Sequence, residues 1–328
     1  MLYHDTGLVP EETLLPESNR SVSLDVRPEV AAALRDGGAV VALESTLIAH
    51  GLPWPTNLDT ARDAEDAVRA EGAIPATVAV WHGRPTVGLT RGEIEHLARA
   101  VGVRKASRRD LAAAVVGGAH AATTVAATMA LADRAGIRVF ATGGIGGVHP
   151  EPAFDVSADL LELSRTPVAI VCAGAKSILD LAATLEMLET QGVPVVGYGT
   201  DTFPAFYLAS SGLPVSARVE TAAEAAQLLA THWRLGGAGV VLAQPLPADV
   251  ALDPDAFTVA LGRAHALARE SGVRGAALTP FLLARLAELT DGRTLRANRA
   301  LIVANARLAA RVALALARGG THAHAGDR

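Results

Sequence analysis

Short apolar runs of strand type recur along the chain and alternate with stretches whose apolar residues repeat at helical spacing. The runs lie at 39–43, 76–81, 137–141, 168–173, 195–198 and 239–243. This alternation is typical of an α/β fold, in which helices cover a central sheet. It continues without interruption through the 328 residues, so we expect one large domain. In open α/β sheets the functional site lies at the carboxyl ends of the strands.

The composition excludes several classes of protein. The net charge is -5 and the pI is near 6.1, and no basic stripe with interleaved aromatic residues appears, so we expect no nucleic-acid partner. No stretch approaches the roughly 18 uncharged apolar residues that a membrane span needs, so we expect a soluble protein. The single cysteine, Cys172, lies in a predicted strand, which excludes an internal disulfide and is typical of a cytoplasmic protein.

Lysine is almost absent from the chain. Lys105 and Lys176 are the two lysines among 29 basic residues, and the others are arginines. A guanidinium serves equally well as a surface charge, but arginine cannot lose its proton near neutral pH and so cannot act as a nucleophilic amine. We therefore expect both lysines to carry out amine chemistry or specific binding.

Lys176 lies where a strand pattern gives way to a helical one. It follows the run 168–173 and Gly174, and Ser177 with Asp180 forms a Ser-x-x-Asp signature that predicts a helix start. The positive end of a helix and partial burial both favour the neutral amine, which can attack a carbonyl or anomeric carbon. The alternative is a lysine that extends from a helix start into solvent.

Other polar groups also follow predicted strands. Glu44 ends the first apolar run, and a glycine-rich loop at 142–149 follows the third. Exposed backbone N–H groups in such a loop suit a phosphate or carbonyl ligand. The loop matches neither a phosphate loop ending in Gly-Lys-Ser/Thr nor a dinucleotide loop opening directly into a helix, because Pro150 and Pro152 follow it.

Two carboxylates and a hydroxyl, those of Asp155, Asp159 and Ser157, come soon after this loop. Helix capping by Ser157 explains part of the pattern, but hard oxygen ligands also suit magnesium or manganese. Asn298 and Asn305 share one face of the predicted last helix. Buried amides usually bond neighbouring loops, although one of the two could reach the site.

Nine motifs, taken in chain order, resemble the pseudouridine-5′-phosphate glycosidase family, also called indigoidine synthase A-like. They are Leu-Glu-Ser-Thr at 43–46, Ala-His-Gly at 49–51, Lys-Ala-Ser-Arg-Arg-Asp at 105–110, Thr-Thr-Val-Ala-Ala-Thr at 123–128, the glycine loop at 142–149, Phe-Asp-Val-Ser-Ala-Asp at 154–159, Cys-Ala-Gly-Ala-Lys-Ser at 172–177, Gly-Tyr-Gly-Thr-Asp at 197–201 and Thr-Pro-Phe-Leu-Leu at 279–283. The similarity covers about 30–317, which leaves an N-terminal arm at 1–29 and a disordered tail at 318–328.

The resemblance implies a single three-layer α/β/α domain with a mixed, mainly parallel sheet, and a homotrimer. It implies reversible cleavage of the carbon–carbon bond of pseudouridine 5′-phosphate to uracil and ribose 5-phosphate. Lys176 would be the nucleophile, Glu44 the acid/base, and Asp155 the ligand of one Mn²⁺ per subunit. His149 would lie beside the base. The sugar phosphate would contact Lys105, Val125, Thr142, Ser157, Ala158, Asp159 and Asn298.

Two departures from the family pattern stand out. Residues 150–153 are a shorter link without the arginine that members usually carry, and Gln244-Pro245 replaces the more usual Asn-Pro. Two alternatives to the glycosidase remain: a Schiff-base aldolase or synthase acting on another sugar phosphate, and a sugar-phosphate-binding regulator without catalysis. The chain has no room for a sugar kinase, so a kinase that makes the substrate would be a separate protein.

Overall fold

An eleven-stranded sheet forms the centre of the fold. The computed structural model describes residues 22–150 and 154–323. The strands are β1 (Asp25–Val26), β2 (Val40–Glu44), β3 (Ile74–Trp81), β4 (Arg84–Val87), β5 (Arg104–Ala106), β6 (Ala121–Thr123), β7 (Val139–Ala141), β8 (Ala169–Cys172), β9 (Val195–Tyr198), β10 (Ala217–Val219) and β11 (Val240–Ala243).

The strand order confirms the mixed, mainly parallel sheet. It runs β1-β4-β3-β2-β7-β8-β11-β9-β10, with β6 paired to β3 and β5 to β6. β3 is antiparallel to β4 and β6, and the remaining pairs are parallel. Leu43, Ala141 and Val171 lie side by side. The residues that follow β2, β7 and β8 therefore come together at one edge of the sheet.

Helices cover both faces of the sheet. They are α1 (Pro28–Arg35), α2 (Thr56–Ala70), α3 (Arg91–Arg99), α4 (Leu111–Val116), α5 (Val125–Ala135), α6 (Ala158–Leu163), α7 (Leu181–Thr190), α8 (Ala222–Arg234), α9 (Pro254–Glu270), α10 (Leu278–Leu289) and α11 (Arg293–Ala323). α11 packs against α2 and α8, and α5 packs against α6. The central strands are buried by these layers: Val41, Phe140, Ile170 and Val241 are all fully shielded from solvent.

The long helix α11 bears on the expectation that the chain has no apolar stretch of membrane-spanning length. Within the described residues, the part of it from Arg293 to Gly319 is long and apolar enough to cross a membrane by length and composition. Half of its most apolar window is buried inside the protein, however. It contacts β2, β7 and β8 as well as α2 and α8. These contacts are those of a core helix.

The ends of the domain differ from the expected boundaries. Asp25 and Val26 add a parallel strand beside β4, and α1 begins at Pro28, so residues 22–29 belong to the packed structure. Residues 1–21 of the expected arm lie outside the described residues. At the other end α11 continues to Ala323, past the expected limit of the tail, and residues 324–328 again lie outside the described part.

Candidate active site

One cavity opens at the carboxyl ends of β2, β7 and β8. Its wall holds five of the residues that the sequence singles out, namely Glu44, Lys105, Thr142, Lys176 and Asn298. They come from elements that are far apart in the chain. The structure therefore brings both lysines and the candidate acid/base to a single space, at the edge of the sheet where α/β proteins place their sites.

Glu44 is the last residue of β2 and lies beside Thr142, the first residue after β7. The Thr142 hydroxyl donates a hydrogen bond to Oε1 of Glu44. Burial raises the pKa of the Glu44 carboxyl, while the charge of Lys176 and the Thr142 hydrogen bond act in the opposite direction. A carboxyl whose pKa is raised in this way holds a proton more readily than an ordinary glutamate and can donate it as a general acid.

Lys176 does not lie at a helix start, and this expectation was wrong. α7 begins at Leu181 with Asp180 as its N-cap, so Lys176 belongs to the loop after β8. The loop pairs with the glycine-rich segment instead of coiling: the N–H of Lys176 donates to Ile145 O at 3.1 Å, and that of Asp180 donates to Val148 O at 2.9 Å. A helix dipole therefore does not explain a neutral amine at Lys176. What the loop does provide is its position in the cavity close to Glu44.

Lys105 reaches the same cavity from β5. Partial desolvation and the nearby charge of Lys176 lower the pKa of Lys105, and the carboxylates of Glu44 and Asp159 only partly offset this. Of the neighbouring arginines, Arg108 forms an ion pair with the buried Glu162. Among the described residues that line the cavity, the lysines and His50 are the basic ones.

The glycine loop is less open to ligands than its sequence indicates. The N–H groups of Thr142, Ile145, Gly146, Val148 and His149 all donate to acceptors within the protein. The part of the loop that lines the cavity, besides Thr142, is Gly143 and Gly144. Several of the glycines are required by packing. A Cβ at Gly144 would lie 2.6 Å from the ring of Phe206 and 3.0 Å from the carbonyl of Gly174.

Ser157, Ala158 and Asp159 lie at the start of α6, outside the cavity wall. Ser157 is the N-cap, as its residue type indicates, and its hydroxyl accepts from the N–H of Asp159 at 3.2 Å. Both oxygens of the buried Asp159 carboxylate accept backbone hydrogen bonds, from Ala126 N at 3.0 Å and Gly146 N at 2.8 Å. Asp159 thus connects the first turn of α5 to the glycine loop.

Val125 begins α5, directly after its N-cap Thr124, and its side chain is buried. Val125 is not one of the described residues that line the cavity. Because its side chain is buried, only its backbone could contact a ligand. The sequence predicts a sugar-phosphate contact at this position only through the resemblance, and that contact stays a prediction.

His149, the last residue of the glycine loop, lies beside Asp155. The backbone N–H of His149 donates to the carbonyl of Asp155 at 2.9 Å. Burial lowers the pKa of the His149 imidazole, the Asp155 carboxylate opposes this shift, and the charges of Lys176 and Lys105 add to it. The charges of both cavity lysines therefore act on His149, although neither His149 nor Asp155 is part of the cavity wall. The preceding residues 151–153, where the chain departs from its family, lie outside the described residues.

The donor set limits what metal could be held here. In residues 22–150 and 154–323, no three His, Cys, Asp or Glu side chains are placed to share an ion. A preformed site for zinc or copper is therefore not built from these side chains. One carboxylate with several waters is still a fitting environment for a hard divalent ion such as Mg²⁺ or Mn²⁺. Asp155 fits that role.

The two amides of α11 have different partners. Asn298 lines the cavity, as one of the pair was expected to. Asn305 bonds a loop: its Nδ2 donates to Thr142 O at 2.7 Å. Gln244, at the position where the chain departs from the family's Asn-Pro, donates its Nε2 to Oδ1 of Asn305 at 2.9 Å.

His50 is a cavity residue that reasoning from residue types missed. It lies on a short helical segment, Leu47–Gly51, that follows Glu44, and its Nε2 is buried without a hydrogen-bond partner in the described structure. Burial and the charge of Lys105 lower the pKa of His50. A neutral imidazole offers both a hydrogen-bond donor and an acceptor. The one available signal was the Ala-His-Gly motif, which contributed only to the resemblance.

Comparisons with known proteins show the family of the chain. The family model for indigoidine synthase A like protein matches residues 29–315. A pseudouridine-5′-phosphate glycosidase of Herpetosiphon aurantiacus is 57% identical over 297 residues, which cover 89% of this chain and 98% of that one. A protein of the same name from Chloroflexus aurantiacus is 56% identical over 304 residues, with 89% and 98% covered.

Two solved structures share the fold. The prealnumycin C-glycosynthase AlnA, solved in complex with ribulose 5-phosphate, is 40% identical with a TM-score of 0.85, and the match covers 92% of this chain and 100% of that one. An indigoidine synthase A-like protein from Thermotoga maritima is 37% identical with a TM-score of 0.83, over 90% and 97% of the two chains. The chain therefore belongs to the pseudouridine-5′-phosphate glycosidase (indigoidine synthase A-like) family and is an enzyme rather than a non-catalytic regulator.

Proposed function

We propose that this enzyme reversibly cleaves the C–C glycosidic bond of pseudouridine 5′-phosphate, giving uracil and ribose 5-phosphate through an imine on Lys176. The observation that carries the proposal is that Lys176 and Glu44 face one cavity, with Lys105 beside them. An amine and a carboxyl with a raised pKa are the two groups that this chemistry requires.

The bond to be broken explains why an amine is needed. A carbon-linked base has no heteroatom at the bond that can take a proton, so uracil is a poor leaving group. The neutral amine of Lys176 attacks the anomeric carbon, and Glu44 gives its proton to the ring oxygen as the ribose ring opens. The nitrogen, which now carries an extra proton, returns it to the Glu44 carboxylate, and its lone pair then expels uracil, whose ring carbon takes up that proton. Water hydrolyses the imine, which releases ribose 5-phosphate and restores the amine.

The other residues of the site have supporting roles in this proposal. Lys105 binds the phosphate dianion, together with Asn298 and the backbone of Gly143 and Gly144, the glycines of the loop that line the cavity. Val125, Thr142 and the segment Ser157 to Asp159 are the remaining sugar-phosphate contacts, and His149 is placed beside the base. Mn²⁺, one per subunit and held by Asp155 with waters, would stabilise negative charge on the uracil carbonyl oxygens.

The same proposal extends to the protein's surroundings. We infer a homotrimer in the cytoplasm, and a separate kinase that supplies pseudouridine 5′-phosphate. The relatives' name implies a small-molecule substrate of this kind. The mass of the purified protein in solution, measured by light scattering, tests the trimer. A monomeric mass under conditions of full activity would exclude it.

A single assay tests reaction, substrate and metal together. Purified protein is incubated with ribose 5-phosphate, uracil and Mn²⁺, and the loss of uracil absorbance is followed while mass spectrometry detects a carbon-linked nucleotide. The product should appear with the parent protein and be absent with Lys176→Arg. Uracil that stays unchanged, with ribose 5-phosphate present and the protein folded, would rule out the proposed reaction.

One observation favours a second candidate, a synthase that joins a sugar phosphate to another carbon nucleophile. The structural neighbour AlnA is named a C-glycosynthase and was solved with ribulose 5-phosphate. Such an enzyme would use the same lysine, carboxyl and phosphate contacts. Uracil released from pseudouridine 5′-phosphate distinguishes the two, because only the glycosidase requires uracil as a product.

A further inference from the structure

A chain of hydrogen bonds connects the end of β11 to the carboxyl of Glu44. Gln244, the first residue after β11, donates its Nε2 to Oδ1 of Asn305 at 2.9 Å. Asn305 donates its Nδ2 to the carbonyl oxygen of Thr142 at 2.7 Å, and the Thr142 hydroxyl donates to Oε1 of Glu44. The chain spans four neighbouring strand ends of the sheet, those of β11, β8, β7 and β2.

The amide of Asn305 is fixed in one orientation by this arrangement. Its side chain is 1% exposed, so an unpaired polar atom there would carry the cost of burial. If the amide turned by half a rotation, its oxygen would face the Thr142 carbonyl and its NH₂ would face the donor of Gln244. Both contacts would be repulsive. The Thr142 carbonyl can only accept, so it determines which atom of Asn305 faces Thr142, and Gln244 donates to the Asn305 oxygen on the other side.

Thr142 in turn is held from both sides of its backbone. Its N–H donates to Val171 O at 3.1 Å, within the sheet, and its carbonyl accepts from Asn305. With the backbone fixed, the hydroxyl is directed at Glu44. Loss of the Asn305 contact would free the Thr142 carbonyl and the loop that begins there, because Asn305 also approaches the Gly143 carbonyl at 3.4 Å.

We propose that Asn305 and Gln244 are positioning residues that set the proton affinity of Glu44 through Thr142. Neither is among the described residues that line the cavity. The charged groups that act on Glu44 directly are Lys176, Asp159 and Lys105. Asn305 and Gln244 are uncharged, so their effect on Glu44 depends on the hydroxyl between them. The consequence for catalysis rests on the proposed function of Glu44, whereas the effect on its protonation does not.

The direction of the effect follows from the hydrogen bond. A carboxylate that accepts a hydrogen bond is stabilised in its charged form, which opposes the rise in the pKa of Glu44 caused by burial. Weakening this bond removes the opposing effect. The pKa of Glu44 should then rise further.

The direct test measures Glu44 without any substrate. Protein carrying glutamate labelled with ¹³C at the side-chain carboxyl is titrated by NMR, and the Glu44 signal is assigned as the one missing in Glu44→Gln. Asn305→Ala and Thr142→Val should each raise the pH at the midpoint of the Glu44 titration. The double variant should match Thr142→Val alone, because Asn305 acts only through that hydroxyl.

Gln244→Ala provides a milder variant, in case Asn305→Ala fails to fold. It leaves Asn305 in place but removes the donor to its buried oxygen and so weakens the support of the contact with Thr142; a smaller rise in the same direction is expected. Thr290→Val is the matched control: it removes a buried hydroxyl that donates to Leu286 O at 2.7 Å, away from the cavity. It should lower thermal stability and leave the Glu44 midpoint unchanged.

Kinetics then connect this shift to catalysis. One limb of the pH profile of kcat/KM should disappear in Glu44→Gln, which assigns that limb to Glu44. In Asn305→Ala and Gln244→Ala the same limb should shift by as much as the titration midpoint of Glu44 measured by NMR. An inactive parent would overturn the proposed function but leave the NMR result meaningful. The positioning role is overturned if Asn305→Ala and Gln244→Ala leave the midpoint where it is, or if the shifts of Asn305→Ala and Thr142→Val simply add.

Discussion

Thr142 donates its hydroxyl hydrogen bond to Glu44 across the ends of two adjacent parallel strands. The register of β2 and β7 brings Leu43 level with Ala141, so the residue that follows each of them arrives at the same height. The contact between Glu44 and Thr142 is thus a direct product of strand pairing. It gives the carboxyl a fixed orientation toward a cavity that also holds both lysines.

The first prediction concerns Glu44→Gln. The glutamine side chain keeps an oxygen that can accept from Thr142 but cannot transfer a proton. Turnover of pseudouridine 5′-phosphate should fall by about 10² to 10⁴-fold, the usual contribution of a general acid/base. Ribose 5-phosphate binding, measured by calorimetry, should be retained.

A matched control for this variant exists within the chain. Glu65 is also a buried glutamate with a raised pKa, caused by burial, and it accepts from the hydroxyl of Thr77 at 2.6 Å. Glu65→Gln should leave turnover close to that of the parent. If Glu44→Gln were as active as Glu65→Gln, Glu44 would have no part in proton transfer.

Much of the fold could be predicted from the sequence because its central strands are buried on both faces. The six apolar runs correspond to β2, β3, β7, β8, β9 and β11. Strands such as β5 and β6 were missed. They have three residues each, and they are defined by pairing with distant partners. The local residue pattern does not indicate such tertiary contacts.

Site residues whose chemistry restricts the residue type were predicted from the sequence. Features that depend on how distant segments pack together were missed. Lysine scarcity marked Lys105 and Lys176, and both line the cavity. The helix expected to start at Ser177 begins only at Leu181, because the segment from Ala175 to Asp180 pairs with the glycine loop. His50 also lines the cavity. Its imidazole interacts by hydrogen bonding with the backbone at Val103 and Arg104, and no local pattern indicates a contact between segments so far apart in the chain.

The second prediction is that borohydride reduction in the presence of ribose 5-phosphate adds one pentose-phosphate mass to the peptide that contains Lys176. Lys105 should stay unmodified. Both amines are in the cavity, and the pKa of Lys105 is itself lowered, so the experiment is a real choice between them. The charge of Lys176 affects the pKa of Glu44 more than the charge of Lys105 does.

Conservative variants provide the controls for this experiment. Lys176→Arg keeps the positive charge but has no nucleophilic amine, so it should bind ribose 5-phosphate without turnover and without a tag. Lys105→Arg should mainly weaken binding while the tag still forms. A tag on Lys105, or a fully active Lys176→Arg, would reverse the two roles.

The third prediction is that Asp155→Ala abolishes tight Mn²⁺ binding and activity. No cluster of three possible ligands exists in the described residues that could replace it. Binding of Mn²⁺ to the ligand-free protein, followed by electron paramagnetic resonance, checks this without an activity assay. Asp133→Ala, which removes a surface carboxylate 3.7 Å from Arg138, is the control. Unchanged Mn²⁺ affinity in Asp155→Ala would place the ion elsewhere.

The fourth prediction separates packing from ligand binding in the glycine loop. A Cβ at Gly146 would meet the hydroxyl of Ser157 and lie 2.8 Å from Oδ2 of Asp159, the atom that accepts from Gly146 N. Gly146→Ala should therefore lower the melting temperature and the activity together. Gly262→Ala, within α9 and with open space around it, should be neutral or stabilise by up to about 1 kcal/mol. A Gly146→Ala protein with parent stability would show that the loop relaxes easily.

The last prediction concerns stability against pH at the junction of α2 and α11. Glu71, just after α2, accepts two hydrogen bonds from Arg311, at 3.0 and 2.9 Å. The Arg311 hydrogen bond is the main cause of a lowered pKa of Glu71. A carboxyl with a lowered folded-state pKa stabilises the protein above its unfolded pKa, about 4.3 for glutamate. That contribution is lost as the pH falls through the folded-state value.

Glu71→Gln should therefore lower the free energy of unfolding at pH 7, by less than about 1 kcal/mol because the pair is partly exposed. The difference from the parent should shrink steadily as the pH falls below about 4.3. Urea denaturation at several pH values measures it, with Glu189→Gln, an exposed carboxylate on α7, as the control. A difference that stayed constant with pH would mean that Glu71 contributes packing rather than its charged pair with Arg311.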